Sequence, residues 1–153
     1  LSYADLSSAD LSSANLRYAD LRYADLSSAN LKEIRKDFFE RLALAKGEVI
    51  GLYDYLMKGK VDGSSYTGEC ACFVGTIANI RKENHEALKI DLRPDSNSPT
   101  EIWFFGINQG DTPQNNQVSE IACEWVREFA KENSLVLPEY KIVSSHEWPE
   151  GFK

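Results

Sequence analysis

The stretch that decides the fold is residues 1–31, LSYADLSSADLSSANLRYADLRYADLSSANL. Leucine occupies every fifth position, alanine stands two residues before each later leucine, and Asp or Asn always lies between the two. On an α-helix, a step of five residues turns by about 500° and would place the leucines on every face, while on a strand successive leucines would point to opposite sides. The period therefore predicts a solenoid, in which each repeat forms one side of a coil and the leucine and alanine side chains point to its axis.

The units ADLSS, ANLRY and ADLRY in this stretch resemble the A-(D/N)-L-x-x signature of pentapeptide-repeat proteins. The resemblance implies a short right-handed quadrilateral β-helix, in which each repeat forms one side of a coil. We predict a pentapeptide-repeat β-solenoid over residues 1–31 and an α-rich (α or α+β) globular C-terminal domain over residues 32–153. Because Leu1 already stands in repeat phase, we expect further repeats before it.

So short a solenoid leaves most of its apolar edge uncovered, because repeat arrays generally need about three or more stacked units. The edge must be covered by the segment that follows, by further coils or by another chain. We therefore expect a homo-oligomer that forms through the solenoid.

The charge and cysteine content exclude several classes of protein. The net charge is −7, of which four Asp and two Arg in residues 1–31 contribute −2 and the remaining residues −5. An acidic chain without a basic stripe argues against direct nucleic-acid binding, which needs Lys and Arg to replace phosphate counterions. Three cysteines, an odd number, do not predict a disulfide framework and favour the cytoplasm. No apolar run is long enough to span a membrane.

Apolar residues at helical spacing predict three helices in the C-terminal domain, over residues 32–46, 49–59 and 118–131. The first is placed to cap the end of the solenoid. Their apolar stripes are Ile34, Phe38, Leu42 and Ala45; Val49, Leu52, Tyr53 and Leu56; and Val118, Ile121, Ala122, Trp125 and Phe129. We expect the opposite face of the third helix to be solvated, because it carries Glu120, Glu124, Arg127, Glu128 and Lys131. The three tryptophans, Trp103, Trp125 and Trp148, are predicted core residues.

Other segments leave alternatives open. Residues 69–80 are short, apolar and rich in small residues, which favours a buried helix over a central strand. Ser98 to Glu101 resembles a capping box with Pro99 at the first helical position, although residues 102–107 also fit a buried strand. Short strands are predicted at residues 88–92 and 140–143.

The C-terminal domain carries a second resemblance. VDGSSYTGECACFVGTIAN and WFFGINQGDTPQNN, followed by the helix that contains Trp125, resemble the carboxy-terminal domain attached to pentapeptide repeats in many bacteriophage and prophage proteins. That resemblance implies a phage or prophage context and no particular chemistry.

Cysteine and histidine are the residues to test first for chemistry. Cys70 and Cys72, with Cys123 and His85, would be candidate zinc ligands, but the pair is not of the CxxC type and no second pair accompanies it. A cysteine nucleophile with His85 or His146 as base is an alternative. Cysteines with small apolar neighbours are more often packed hydrophobes, and no common catalytic motif is present. We predict no catalytic residue, no metal and no cofactor.

Two sets of polar residues are candidate binding surfaces. The first set faces outward from the solenoid and would contact a protein partner: Arg17, Tyr18, Arg22, Tyr23, Asp5, Asp10, Asp20 and Asp25. The alternative is that the Asp and Asn side chains bond local backbone at the coil corners. The second set lies in the polar loop of residues 106–116 and would bind a small polar ligand if it is not an ordinary turn: Asn108, Gln109, Asp111 and Asn115.

We therefore predict a non-catalytic, cytoplasmic protein-interaction protein of phage or prophage type. Similarity to the quinolone-resistance group of pentapeptide-repeat proteins implies an acidic DNA mimic that inhibits a host DNA-acting enzyme, such as a topoisomerase or a defence nuclease. The alternative is a small ligand-binding or enzymatic C-terminal domain that uses the repeats for assembly or targeting. This alternative predicts a pocket between residues 61–70 and 106–116, near Cys70 or His85.

Overall fold

The structure is a computed structural model, and it describes residues 31–65, 68, 71–82 and 98–140. This part of the chain is α-rich, as predicted. Its helices are α1 Lys32–Leu44, a 3₁₀ turn Lys46–Glu48, α2 Val49–Met57, α3 Phe73–Arg81, α4 Pro99–Phe104 and α5 Gln117–Glu132. The predicted solenoid, apart from Leu31, lies outside the described residues, as do Trp148 and the predicted strand at residues 88–92.

Helices α1 and α2 bury the stripes that their spacing predicts. Ile34, Phe38 and Leu42 of α1 are buried, and so are the four apolar residues of the α2 stripe. The first helix ends earlier than predicted, because the chain turns at Ala45, whose N–H bonds the carbonyl of Leu42 at 3.0 Å. The 3₁₀ turn, which contains Gly47, then leads directly into α2.

Segment 69–80, for which the sequence favours a buried helix over a central strand, does contain a helix, although this helix, α3, begins only at Phe73. The residues before it are tied to the turn that follows α2. Val61 and Ala71 form a parallel β-bridge, and the N–H of Cys72 donates to the carbonyl of Ser65 at 2.7 Å. These bonds fix Ala71 and Cys72 beside that turn, and Cys72 Sγ then accepts from the N–H of Gly75 as the helix cap.

Helix α4 is short, and the alternative strand over residues 102–107 is wrong. Ser98 caps the helix by accepting from the N–H of Glu101, with Pro99 in the first turn, as the sequence predicts. The Glu101 side chain also bonds a second helix, which a capping box does not predict. Its Oε1 accepts from the N–H of Val74, 3.0 Å away in the first turn of α3. A carboxylate is stabilised there by the positive end of the helix dipole.

A carboxylate on α1 supports α4 in the same way. Asp37 Oδ2 accepts from the N–H of Thr100 at 3.0 Å and from its hydroxyl at 2.6 Å, and it also bonds Arg41. Helix α1 thus fixes the start of α4, and α4 fixes the start of α3. The two side-chain contacts join segments far apart in the sequence into one helical domain.

Aromatic side chains fill the centre of this domain. Phe38 lies at their middle, with ring centroids 5.6 Å from Phe73, 5.8 Å from Phe104 and 6.0 Å from Trp125. Trp103 packs on Trp125 at 5.5 Å. Both tryptophans are therefore core residues, as predicted.

Helix α5 and an extended segment complete the domain. Asn116 caps α5 by accepting from the N–H groups of Val118 and Ser119 at 2.8 and 3.2 Å. After α5 the chain returns to α2 as a segment without regular secondary structure, residues 135–140, which we call the arm. Tyr140 is not in a strand, and the other residues of the strand predicted at 140–143 lie outside the described part. Within the described ranges, none of the helices is long and apolar enough to cross a membrane.

Candidate functional site

The predicted solenoid surface lies outside the described residues and stays a prediction: Arg17, Tyr18, Arg22, Tyr23, Asp5, Asp10, Asp20 and Asp25. What the structure does show is the junction at its end. Leu31, the last leucine of the period of five, is partly buried against the core of the helical domain. Its carbonyl also accepts from the N–H of Arg35 at 2.9 Å. The repeat sequence therefore runs without a linker into α1.

The polar loop of residues 106–116 is held by its own side chains. Asp111 is 6% exposed, and its Oδ2 accepts from the N–H of Asn108 and from the side chain of Asn116, both at 2.8 Å. Asn115 Oδ1 accepts from the N–H of Thr112 at 2.8 Å. Two of the four predicted ligand residues thus shape the turn that leads into α5, while Asn108 and Gln109 are exposed.

The two loops that the ligand-binding alternative needs do lie side by side. The N–H of Gly63 donates to the carbonyl of Ile107 at 2.8 Å, and the N–H of Gly110 donates to that of Gly59 at 2.8 Å. A Cβ added to Gly63 would lie 1.8 Å from the carbonyl oxygen of Phe104. The loops are therefore joined by direct backbone contact, which leaves no space for a ligand at this point.

The cysteines described by the structure are packed as hydrophobic residues. Cys72 and Cys123 are 1% and 0% exposed, and Cys123 Sγ lies 3.9 Å from Met57 Sδ. Burial raises the pKa of the Cys123 thiol to about 12, and burial together with the Glu101 carboxylate raises that of Cys72. A nucleophilic or metal-binding cysteine needs the opposite, a lowered pKa.

The candidate zinc ligands named from the sequence are only partly covered by the structure. Cys70, His85 and His146 lie outside the described residues. Among the residues that the structure does describe, no three His, Cys, Asp or Glu side chains are grouped so that they could hold a metal ion.

A surface that the sequence did not indicate is formed where the arm meets α2 and α5. We call it the Tyr53 surface, and it consists of Tyr53, Asp54, Arg127 and Tyr140. Arg127 Nη1 donates to Tyr53 Oη at 3.1 Å, and the rings of Tyr53 and Tyr140 meet edge to face with centroids 5.8 Å apart. The Tyr140 hydroxyl donates to Asp54, which also pairs with Lys58 at 2.8 Å.

The contacts of the Tyr53 surface shift the pKa values of Tyr140 and Asp54. Burial, followed by the hydrogen bond to Asp54, raises the pKa of Tyr140 to about 12. Burial would also raise the pKa of Asp54, but hydrogen bonds from Lys58 and Tyr140 bring it below its ordinary value. Both groups therefore keep their charge states at neutral pH, and the contact between arm and α2 is maintained.

Tyrosine and arginine are enriched in protein interfaces. Tyr53 is 6% exposed and its ring contacts that of Tyr140, so this group can contact another chain only where the arm is displaced. By its position in the sequence, Tyr53 belongs to a predicted apolar stripe, Arg127 to a predicted solvated face and Tyr140 to a predicted strand. No sequence signal could have grouped them, because the residues belong to three separate segments.

Glu120 on α5 is another departure from the sequence expectation. The predicted solvated face does hold exposed Glu124, Arg127, Glu128 and Lys131, but Glu120 is partly buried. Within the described residues, its Oε2 is buried and has no hydrogen-bond partner. Burial and the neighbouring Glu124 carboxylate raise the pKa of Glu120 to about 7, against the effect of Arg127.

Replacing Glu120 with glutamine is expected to stabilise the protein above pH 7. Because the folded pKa is raised, the stability that the protonated carboxyl contributes is complete below pH 4.5 and is lost as the pH rises through about 7. The neutral amide avoids this loss, so we expect a melting temperature about 3 °C higher at pH 8 and no gain at pH 4.5. Thermal melts of the wild type and of Glu120→Gln between pH 4.5 and 8 measure this difference in melting temperature.

The control for this prediction is Glu132→Gln, at an exposed position on the same helix. Its melting temperatures, measured over the same pH range, serve as the reference for removing an exposed carboxylate from α5. If Glu120→Gln and Glu132→Gln showed the same pH dependence, the burial of Glu120 would not be its cause.

Comparison with known proteins identifies one segment of the chain. Residues 1–33 match the family Pentapeptide repeats, in eight copies, which confirms the repeats predicted at the N-terminal end. No curated protein and no solved structure matches the chain. The match ends two residues into α1, so the resemblance of the C-terminal domain to phage proteins stays a prediction.

Proposed function

We propose that this chain is a non-catalytic protein-interaction protein of phage or prophage type. In this proposal the pentapeptide repeats form a β-helix that presents the binding surface, and the helical domain caps the end of that β-helix. The observation that carries the proposal is the junction at Leu31. The repeat match extends to residue 33, whereas α1 begins at Lys32 and Leu31 already packs on the helical core.

A cap is what the end of a β-solenoid requires. The last coil of a solenoid exposes apolar side chains and unpaired strand edges, and such edges invite uncontrolled pairing with other chains. Helix α1 follows the last repeat with no intervening residues, and its buried face joins the core of a stable domain. The helical domain therefore has a role that needs no active site of its own.

The charge of the repeats indicates the kind of partner. Four Asp against two Arg make residues 1–31 acidic, and opposite charge across an interface gives specificity and fast association. A suitable partner is a host enzyme with a basic DNA channel, such as a topoisomerase or a defence nuclease, which the repeats would occupy in place of DNA. The net −2 is low for this task, so the proposal requires the acidic surface to be extended by further repeats or by a second copy.

The test is binding of the whole chain to a purified type II topoisomerase at low and moderate salt. The informative variant neutralises the repeat carboxylates: Asp5→Asn, Asp10→Asn, Asp20→Asn and Asp25→Asn. The matched control changes the net charge equally in exposed positions of the helical domain: Glu40→Gln, Glu124→Gln, Glu132→Gln and Glu139→Gln.

We expect salt-sensitive binding that the repeat variant weakens by about tenfold or more, equivalent to about 1.4 kcal/mol, while the control binds nearly as the wild type does. Circular dichroism checks that both variants are folded. Equal weakening by the two variants would show that net charge matters and the repeats do not. Absence of binding to any of several basic DNA-handling enzymes would exclude the DNA-mimic function.

A further inference from the structure

The arm, residues 135–140, is anchored at both of its ends. Leu135, Leu137 and Tyr140 are partly buried against the core. Tyr140 also stacks on Tyr53 and donates a hydrogen bond to Asp54. The contacts of the arm are therefore specific, and a second arm with the same sequence would make the same contacts.

The point where the arm leaves α5 is strained. Ser134 has a φ of +56°, a left-handed conformation that residues other than glycine adopt at a cost. This conformation turns the arm back, with the N–H of Leu135 bonded to the carbonyl of Ala130 at 2.8 Å. A change at this single residue would direct the arm away from its own α2.

The middle of the arm exposes an apolar side chain to solvent. Val136 is 85% exposed, more than Leu44 or Ile50 at 46% and 44%. Within the described part of the chain, the backbone of residues 136–140 makes no backbone hydrogen bond. Pro138 has no N–H, so this part of the arm offers another chain the exposed Val136 side chain and not a continuous row of backbone donors.

We propose that two copies of this chain exchange their arms, so that the arm of each copy lies on the Tyr53 surface of the other. Such an exchange is reciprocal and closed, which limits it to a dimer. The side-chain contacts between arm and body are kept, whereas the bond from Leu135 to Ala130 is given up as Ser134 leaves its strained conformation. The two arms cross near the two-fold axis, where the two Val136 side chains cover each other.

The partner is therefore a second copy of this chain, and the interface is separate from one formed through the solenoid. A strained, short hinge favours exchange of this kind because the closed monomer retains the strain and the dimer does not. The loss of translational freedom on association opposes it, so the dimer should form in a concentration-dependent way.

The decisive experiment mixes two complementary variants of the full chain. Tyr140→Ala removes the anchor of the arm, and Tyr53→Ala removes its seat on α2. Each variant alone lacks the ring contact between Tyr53 and Tyr140 at both of its arms. In a mixed dimer, however, the intact arm of the Tyr53→Ala copy meets the intact seat of the Tyr140→Ala copy. We expect light scattering after size exclusion to show dimer for the wild type, mostly monomer for each variant and partial recovery of dimer in the mixture.

Two variants of Ser134, the residue at which the arm would change direction, give an independent measurement of the dimer's stability. Ser134→Gly relieves the cost of the left-handed conformation and should weaken the dimer, whereas Ser134→Val raises that cost and should strengthen it. We expect their dimer dissociation constants to differ by about tenfold. The exposed Val136→Ser should weaken the dimer without lowering the melting temperature of the monomer.

Three results would overturn the proposal. They are a wild type that stays monomeric at high concentration, a mixture no more dimeric than its components, and equal dissociation constants for the two hinge variants. A dimer that persists in both Tyr variants would form elsewhere, for example through the solenoid. These outcomes are independent of whether the repeats bind a DNA-acting enzyme.

Discussion

Replacing Gly63 with alanine is expected to unfold the helical domain or bring it close to unfolding. The added Cβ would lie 1.8 Å from the carbonyl oxygen of Phe104 and 2.4 Å from its carbon. Both atoms belong to the backbone and cannot move aside as a flexible side chain would. The φ of Gly63 is not positive, so the requirement at this position is space and not backbone conformation.

The clash affects two connected parts of the fold. Phe104 ends α4, and its carbonyl accepts from the N–H of Ile107 at 3.0 Å. Separating the loops would also break the bond from Gly63 to Ile107. A loss on the order of 4 kcal/mol or more is expected, which is exceptional for one methyl group and a large part of a typical domain's stability.

Urea unfolding followed by circular dichroism measures the loss, and Gly47→Ala is the matched control. A Cβ at Gly47, in the 3₁₀ turn, meets nothing within 4 Å. That variant should be as stable as the wild type or more stable by about 0.5 kcal/mol, because alanine restricts the unfolded chain. A Gly63→Ala protein that unfolds at the wild-type urea concentration would show that the two loops are not in contact.

The parts of the fold that sequence predicts are those that depend on local periodicity. The period of five identified the pentapeptide repeats, and stripes such as Ile34, Phe38 and Leu42 identified α1. The start of α3 was predicted less well, at residue 69 instead of Phe73. The bridge between Val61 and Ala71, which lies two residues before the start of α3, joins residues that no local pattern relates.

The side-chain contacts between elements were not predictable for the same reason. Glu101 fits a capping box by its position after Ser98, but that position does not indicate the bond that Glu101 makes to the start of α3. Glu120 lies among charged residues on α5, yet its own carboxylate is partly buried. Sequence position gives the face of a helix, whereas burial depends on what packs against that face.

For the candidate sites too, sequence position shows which residues are polar, whereas their contacts in the fold decide what they bind. Polar residues in the loop 106–116 predict a ligand site when they are considered separately, because amides and carboxylates bind polar molecules. The structure shows that Asp111 and Asn116 bond each other at 2.8 Å and that Asn116 caps α5. The Tyr53 surface is the opposite case. Its residues are far apart in the sequence and come into contact only because the arm folds back onto α2.

Phe38→Ala is expected to cost about 4 kcal/mol, because it removes the ring at the centre of the aromatic core. Phe38 is 1% exposed and touches the rings of Phe73, Phe104 and Trp125, which come from three other helices. The cavity would be surrounded by rigid rings that cannot close it. Urea unfolding followed by tryptophan fluorescence measures the loss, since Trp125 borders the cavity.

The neighbouring Phe39→Ala is the matched control, because it removes the same side chain from the surface of the same helix. Phe39 is partly buried, with its ring 5.7 Å from that of Phe129 and the Arg35 guanidinium 4.1 Å from its centroid. Its loss should cost about 1–2 kcal/mol. Similar costs for the two variants would contradict the packing of α1 described above.

The Phe38 variant also tests the proposed cap. If the helical domain covers the end of the repeats, the two parts should unfold together, because Leu31 belongs both to the repeat period and to the helical core. Far-ultraviolet circular dichroism separates helix from β-structure, so the urea midpoints of both signals should fall equally in Phe38→Ala. A repeat signal that keeps its wild-type midpoint would mean that the repeats are stable without the cap. The helical domain would then need a function of its own.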